Sequence, residues 1–167
     1  MNTISTPAVS LEGKSLWIMQ SLPVKPRQVL GAKLSMQLIL TLLPAALCIA
    51  LTAIAYQYTA ASLLAVIAQT FSFVLSLSAL GLVLDLKMPN LNWTNETTPI
   101  KRSISILLIM LCGFFGAVIT AVAGFLLVPA GFNAVLYLFL LAVFNLLLSA
   151  LWLAWLCKKG CRILGTL

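Results

Sequence analysis

The sequence predicts an all-α polytopic membrane protein, with four transmembrane helices preceded by a short cytoplasmic interfacial helix. Three observations predict it. First, the chain is 62% hydrophobic and only 8% charged, too few polar side chains to cover a soluble domain. Second, residues 34–84 and 103–157 contain no Asp, Glu, Lys, Arg or His. At 51 and 55 residues, each stretch holds two crossings and a turn, because one crossing takes about 20 apolar residues. Third, all ten Lys and Arg fall in three clusters that bracket these stretches: Lys14/Lys25/Arg27/Lys33, Lys87/Lys101/Arg102 and Lys158/Lys159/Arg162. Two crossings return the chain to the side it left, so the clusters share one side, which the positive-inside rule makes the cytoplasm. The expected location is the plasma membrane, with both termini cytoplasmic.

The formal charge of +7 does not point to nucleic acid. The basic residues are sparse and juxtamembrane, without the basic face such a binder presents; topology and attraction to anionic lipid account for them. Residues 1–10 carry no charged side chain, and the first apolar run comes too late and runs too long for a cleavable signal peptide. Cys48 and Cys112 lie inside hydrophobic spans as small packing residues. Cys157 and Cys161 flank Lys158-Lys159 at the cytoplasmic edge; such cysteines can be lipidated, and a reduced thiol is the expectation here. With no His and no CxxC, no metal site and no cofactor are expected.

Residues 1–9 read as a disordered N-terminus and 10–33 as an interfacial helix and turn. Ser10 serves as N-cap, with Glu12 in the first turn where the helix dipole favours an acid. Over 11–22, Leu11, Ile18 and Leu22 form a helical stripe that Trp17 widens, and Glu12, Lys14 and Gln20 are polar. The segment is too short and too charged to span, so it lies at the interface, and Pro23 and Pro26 end it.

The transmembrane domain covers 34–157. Its first span runs over about 34–54, its helix starting as early as Arg27. Pro44 inside it predicts a kink that membrane helices tolerate, and Tyr56 and Tyr58 mark the outer interface. The second span covers about 61–84. On it Ser62, Ala65, Gln69, Ser72, Ser76 and Ala79 follow one face. That face is either a packing seam, since small and hydroxyl residues let helices approach, or part of a polar translocation surface. The loop 85–103 carries Pro89, Pro99 and Trp93, and its two Asn-x-Thr sequons at Asn92 and Asn95 fall on the cytoplasmic side, out of reach of glycosylation.

The third span covers about 104–127, where Cys112, Gly116, Thr120 and Gly124 recur every four residues, the small-xxx-small pattern of close helix contact. Pro129 and Gly131 break the chain in the turn 128–133. The fourth span covers about 134–155. Asn145 near its middle is expected to hydrogen-bond to a neighbouring helix, with Ser149 one turn on and Trp152 and Trp155 in the cytoplasmic belt. Residues 158–167 form a cytoplasmic tail.

The chain has only three acids, Glu12, Asp85 and Glu96, far apart and none expected at bilayer depth. With no His and no nucleotide-binding loop, the chain is not expected to be an enzyme. Nor does a span carry the ionisable residue that a proton-coupled transporter uses. Any driving force must come from a partner or a passive gradient.

Two segments carry a more specific signal. LEGKSLWIMQSLPVKPRQVLGAK, residues 11–33, resembles the cytoplasmic coupling segment of type-2 ABC transporter permeases, with Leu22-Pro23-Val24 and Lys33 at the places of the family's turn and lysine. DLKMPNLNWTNETTPIKRS, residues 85–103, is similar to a segment of the large-permease branch found mainly in Gram-positive bacteria; Asp85, Pro89, Trp93, Asn95, Glu96 and Lys101 carry the match. Arg102 stands where that pattern has Gln. Such permeases have at least six spans with the coupling helix between the second and third, so this chain looks like the C-terminal part of a longer permease.

The resemblance implies a membrane subunit of an ATP-driven exporter. A separate cytoplasmic ABC ATPase would hydrolyse ATP and dock on residues 11–22, with Glu12, Lys14 and Trp17 as contact candidates. Another permease chain or a second copy of this one is a further partner it allows, alongside the lipid bilayer. Two alternatives stay open on the residues alone. One is a small non-transporting membrane interaction protein, such as an immunity or assembly factor. The other is a passive pore.

Overall fold

The computed structural model describes residues 26–87, 104–129 and 131–160. Four helices fill them: α1 Pro26–Tyr56, α2 Ala60–Lys87, α3 Ile104–Leu127 and α4 Ala134–Trp155, the last running on into a π-helical turn, Leu156–Gly160. All four are long and apolar enough to cross a membrane. The bounds of α3 and α4 are those the sequence predicts. α1 and α2 run past their predicted spans because Arg27, Lys33 and Lys87 sit on helix ends, where long cationic side chains reach the interface. α1 continues as one helix through Pro44, although proline has no N–H for the carbonyl four residues back.

The connections reverse the chain tightly. Gln57, at φ 47°, turns α1 into α2 between Tyr56 and Tyr58, whose rings stack with centroids 6.1 Å apart. After α3, the Phe132 N–H donates to the Leu127 carbonyl and the Gly131 N–H to the Val128 carbonyl. That pair of bonds is the Schellman closure, and it needs the left-handed φ of 96° that Gly131 supplies. Asn133 then caps α4, its side-chain oxygen accepting from the Val135 N–H at 3.0 Å.

α2 is the hub. It packs most extensively against α4, then α1, then α3. It is also the least apolar span, with mean hydropathy 2.0 against 2.5 or more for the others, and the most buried. The reason is one of solvent: Met36, Leu47, Phe114, Phe125, Leu140 and Leu147 are exposed on the other helices, where lipid suits them, while α2 spends its surface on helix contacts.

Every described cation, Arg27, Lys33, Lys87, Lys158 and Lys159, lies at one end of the bundle, hereafter the basic end. There the start of α1 and the ends of α2 and α4 close around one cluster of Leu30, Ala79, Leu82, Val83, Leu86 and Leu156, flanked by Trp152 and Trp155. Gly160 is buried at its centre; a Cβ there would meet Leu86 Cδ1 at 3.1 Å and Leu156 Cδ2 at 3.2 Å. Gly160→Leu is therefore expected to destabilise the fold by about 1–3 kcal/mol through overpacking. Gly31→Leu, with nothing within 4 Å of an added Cβ, should be tolerated. Denaturant titration of the two variants in detergent, followed by circular dichroism, checks the contrast.

Candidate functional site: a polar seam and the basic end

Along α2 the residues Ala65, Gln69, Ser72, Ser76, Ala79, Val83 and Leu86 alternate steps of four and three, and all but Gln69 are buried. Along α4 the same rhythm links Leu138, Ala142, Asn145, Ser149, Trp152 and Leu156, with Ala142, Asn145, Ser149 and Leu156 buried. A seven-residue repeat on both partners is the signature of helices crossing at about +20°, knobs into holes. Both helices end at the basic end, where Leu86 meets Leu156 beside Gly160, so the pair is parallel. Counting back from that contact along the two stripes brings Ala79 to the level of Ser149, Ser76 to that of Asn145 and Ser72 to that of Ala142.

Three polar side chains of this seam bond to their own helices. Ser72 Oγ donates to the Gln69 carbonyl at 3.0 Å, Ser149 Oγ to the Leu146 carbonyl at 2.8 Å, and Asn145 Nδ2 to the Leu141 carbonyl at 2.9 Å. Beside them Thr70 Oγ1 donates to the Val66 carbonyl at 2.8 Å. Side chains satisfied this way present a small, smooth surface that a neighbouring backbone can approach. For Asn145 the bond within α4 replaces the cross-helix bond that its sequence position suggests. Gln69 is different: its Oε1 is buried without a partner among the described residues.

Nearer the basic end, the face formed by Ser78, Leu82 and Asp85 is also buried. Asp85 is fully enclosed and is not without a partner. Ser105, equally enclosed at the start of α3, directs its hydroxyl to the Leu84 carbonyl at 3.4 Å. Lys87 Nζ lies 5.6 Å from the Trp155 ring centroid, a cation–π contact that joins the ends of α2 and α4. The burial of Asp85 and the role of Gly160 are the features that sequence reasoning missed. A carboxylate beside a charged loop reads as solvated, and a glycine after two lysines reads as tail.

The small-residue face of α3 divides between two neighbours. Gly116 faces α2, where an added Cβ would lie 3.5 Å from Phe73 Cε2; Gly124 faces α4, where it would lie 3.2 Å from Tyr137 Cε1. Tyr137 also donates its hydroxyl to the Thr120 carbonyl at 2.7 Å. These glycines receive aromatic rings. Cys112 is exposed, as are Cys48 and Cys157. Among the described residues no three His, Cys, Asp or Glu could hold a metal ion. Glu12, Lys14 and Trp17, with the rest of the 11–22 helix, lie outside the described residues, as do Trp93, both sequons, Cys161 and Arg162.

An all-helical bundle with four apolar spans, bearing cations at one end and a polar packing seam inside, is a multi-pass membrane protein. Residues 2–157 match the family described as "Membrane protein of 12 TMs", and the chain belongs to that family. No curated protein and no solved structure is significantly similar to it.

The back-bonded seam generates a test. Ser72→Ala removes a hydroxyl that serves only its own helix and is expected to cost no more than about 0.6 kcal/mol. Ser72→Leu, at a position with no exposure, is expected to cost about 1–3 kcal/mol. Reversible unfolding in mixed micelles measures both; a larger loss for the alanine variant would make the hydroxyl a cross-helix bond.

Proposed function

We propose that the chain is a membrane permease subunit, or part of one, of an ATP-driven exporter of the type-2 ABC class, driven by a separate cytoplasmic ATPase. The observation that carries this reading is the placement of the two resembling segments. The first ends within the start of α1, residues 26–33, and the second begins at the end of α2, residues 85–87, so both join the described helices at the basic end. By the positive-inside rule that end faces the cytoplasm of the plasma membrane, the side on which an ATPase would work.

The packing supports a coupling route. A docked helix at 11–22, stopped by Pro23, would move the start of α1 directly. Leu30 on α1 touches the same cluster as Leu82, Leu86 and Leu156, so a shift of α1 bears on α2 and α4 together. Packed cores of this kind switch between discrete arrangements rather than deforming smoothly. Energy then enters as the differential affinity of the docked helix for two ATPase states. The chain itself carries no ATPase in this scheme. The seam between α2 and α4 is closed by Ala65, Ser72 and Ala79, none of them exposed, which fits a packing interface better than a standing pore through this pair.

Two measurements test the reading. Trp17→Asp is expected to abolish co-purification with the ATPase while membrane insertion persists, because the spans lie elsewhere and interface energy concentrates in aromatic anchors. Retained co-purification would remove Trp17 from the contact, and a wild-type chain that captures no ATPase would leave the non-transporting interaction protein. Separately, cysteines introduced at Thr59 and Phe132 should react with an impermeant thiol reagent from outside intact cells. Reaction from the inside only would reverse the orientation.

A further inference from the structure

α1 and α4 scarcely touch, yet their basic ends stand on either side of a groove of about 150 Å³ lined by Arg27, Leu30, Gly31, Leu34, Leu153, Leu156 and Cys157. We propose that this groove binds one anionic phospholipid, its phosphate held by Arg27 and its acyl chain laid between α1 and α4.

The chemistry is divided along the groove. Arg27 stands exposed at the first turn of α1, and the π-helical turn carrying Cys157 also carries the exposed Lys158 and Lys159. One to two turns deeper on α1, Leu30, Gly31 and Leu34 share the face that begins at Arg27. Opposite them Leu153 and Leu156 belong to the same apolar cluster. The groove is therefore cationic at the mouth and apolar beyond it, in the order a phospholipid presents phosphate and chain. Among the described residues the only acid is Asp85, which is fully enclosed, so five cations at this end face one buried carboxylate. A free phosphate would use the mouth and leave the apolar walls without an occupant.

Selectivity must come from the mouth. Acyl chains gain little from an apolar wall when the alternative is other acyl chains, whereas each Lys or Arg near an anionic surface contributes about a fivefold preference. Gly31 offers a way to close the groove without disturbing its walls, because an added Cβ there meets nothing within 4 Å.

The experiment reconstitutes the full chain in phosphatidylcholine bilayers. These are doped with a photoreactive-acyl phosphatidylglycerol or, in parallel, the matching phosphatidylcholine, and adducts are mapped by mass spectrometry. The anionic analogue is expected to concentrate its adducts on peptides containing Gly31–Leu34 and Leu153–Cys157, and the zwitterionic one to spread over lipid-facing residues such as Phe125 and Leu51. Arg27→Gln should lower the anionic adducts in the groove about fivefold. Gly31→Phe should remove them while labelling at Phe125 persists. Equal labelling of the groove by both analogues in the wild-type chain would overturn the proposal whatever the variants do. Loss of the adducts on adding inorganic phosphate would overturn it in favour of a small-anion site.

Discussion

Lipid tails are as apolar as leucine, so burying leucine against leucine gains almost nothing inside a bilayer. Helices there associate only where surfaces fit closely and polar groups are satisfied. That constraint explains why α2, the least apolar span, is the one at the centre. Its serines and alanines trade side-chain bulk for backbone approach, and the hydroxyl of Ser72 closes on its own helix before meeting a neighbour. The paired face of α4 uses the same device at Asn145 and Ser149. The large apolar side chains, placed outward, meet a solvent in which they cost nothing.

The character of the pair changes toward the basic end. Around Ser72 and Asn145 the seam is small and polar; around Leu86, Leu156 and Trp152 it becomes a bulky cluster that α1 joins through Leu30. The enclosed Asp85, the Lys87–Trp155 contact and Gly160 sit in the same layer. It is the place where α1, α2 and α4 meet in one cluster.

Much of this architecture is legible in the sequence, for identifiable reasons. α3 and α4 fall where predicted because charged residues and the Pro129–Gly131 breakers bound their apolar runs sharply. The α2 seam shows as a helical period of small residues, and the structure buries Ala65, Ser72, Ser76 and Ala79 along it. What the period does not reveal is its partner. A seam on α2 reads equally well against α1, α3 or α4, and only the matching rhythm on α4 with a shared register at Leu86 and Leu156 decides. The α1 start near Arg27 is legible as well, because Pro26 bounds it and Arg27 and Lys33 are compatible with a helix that begins before the apolar run. The burial of Asp85 is invisible in sequence because it depends on which neighbours pack against the end of α2. On α3, Gly116 and Gly124 follow a spacing associated with backbone contact, yet Phe73 and Tyr137 occupy the space they leave. A glycine spacing does not distinguish the two uses.

The parallel pairing of α2 and α4 is tested most directly by disulfide formation in native membranes. The chain would carry Ala79→Cys and Ser149→Cys, its four native cysteines replaced by alanine. Facing residues of a packed pair bring their Cβ atoms within bridging range, so rapid crosslinking at 79–149 is expected, with none when Leu147, exposed on α4, replaces position 149 as the partner. Crosslinking through 147 and not through 149 would contradict the pairing and the packing built on it.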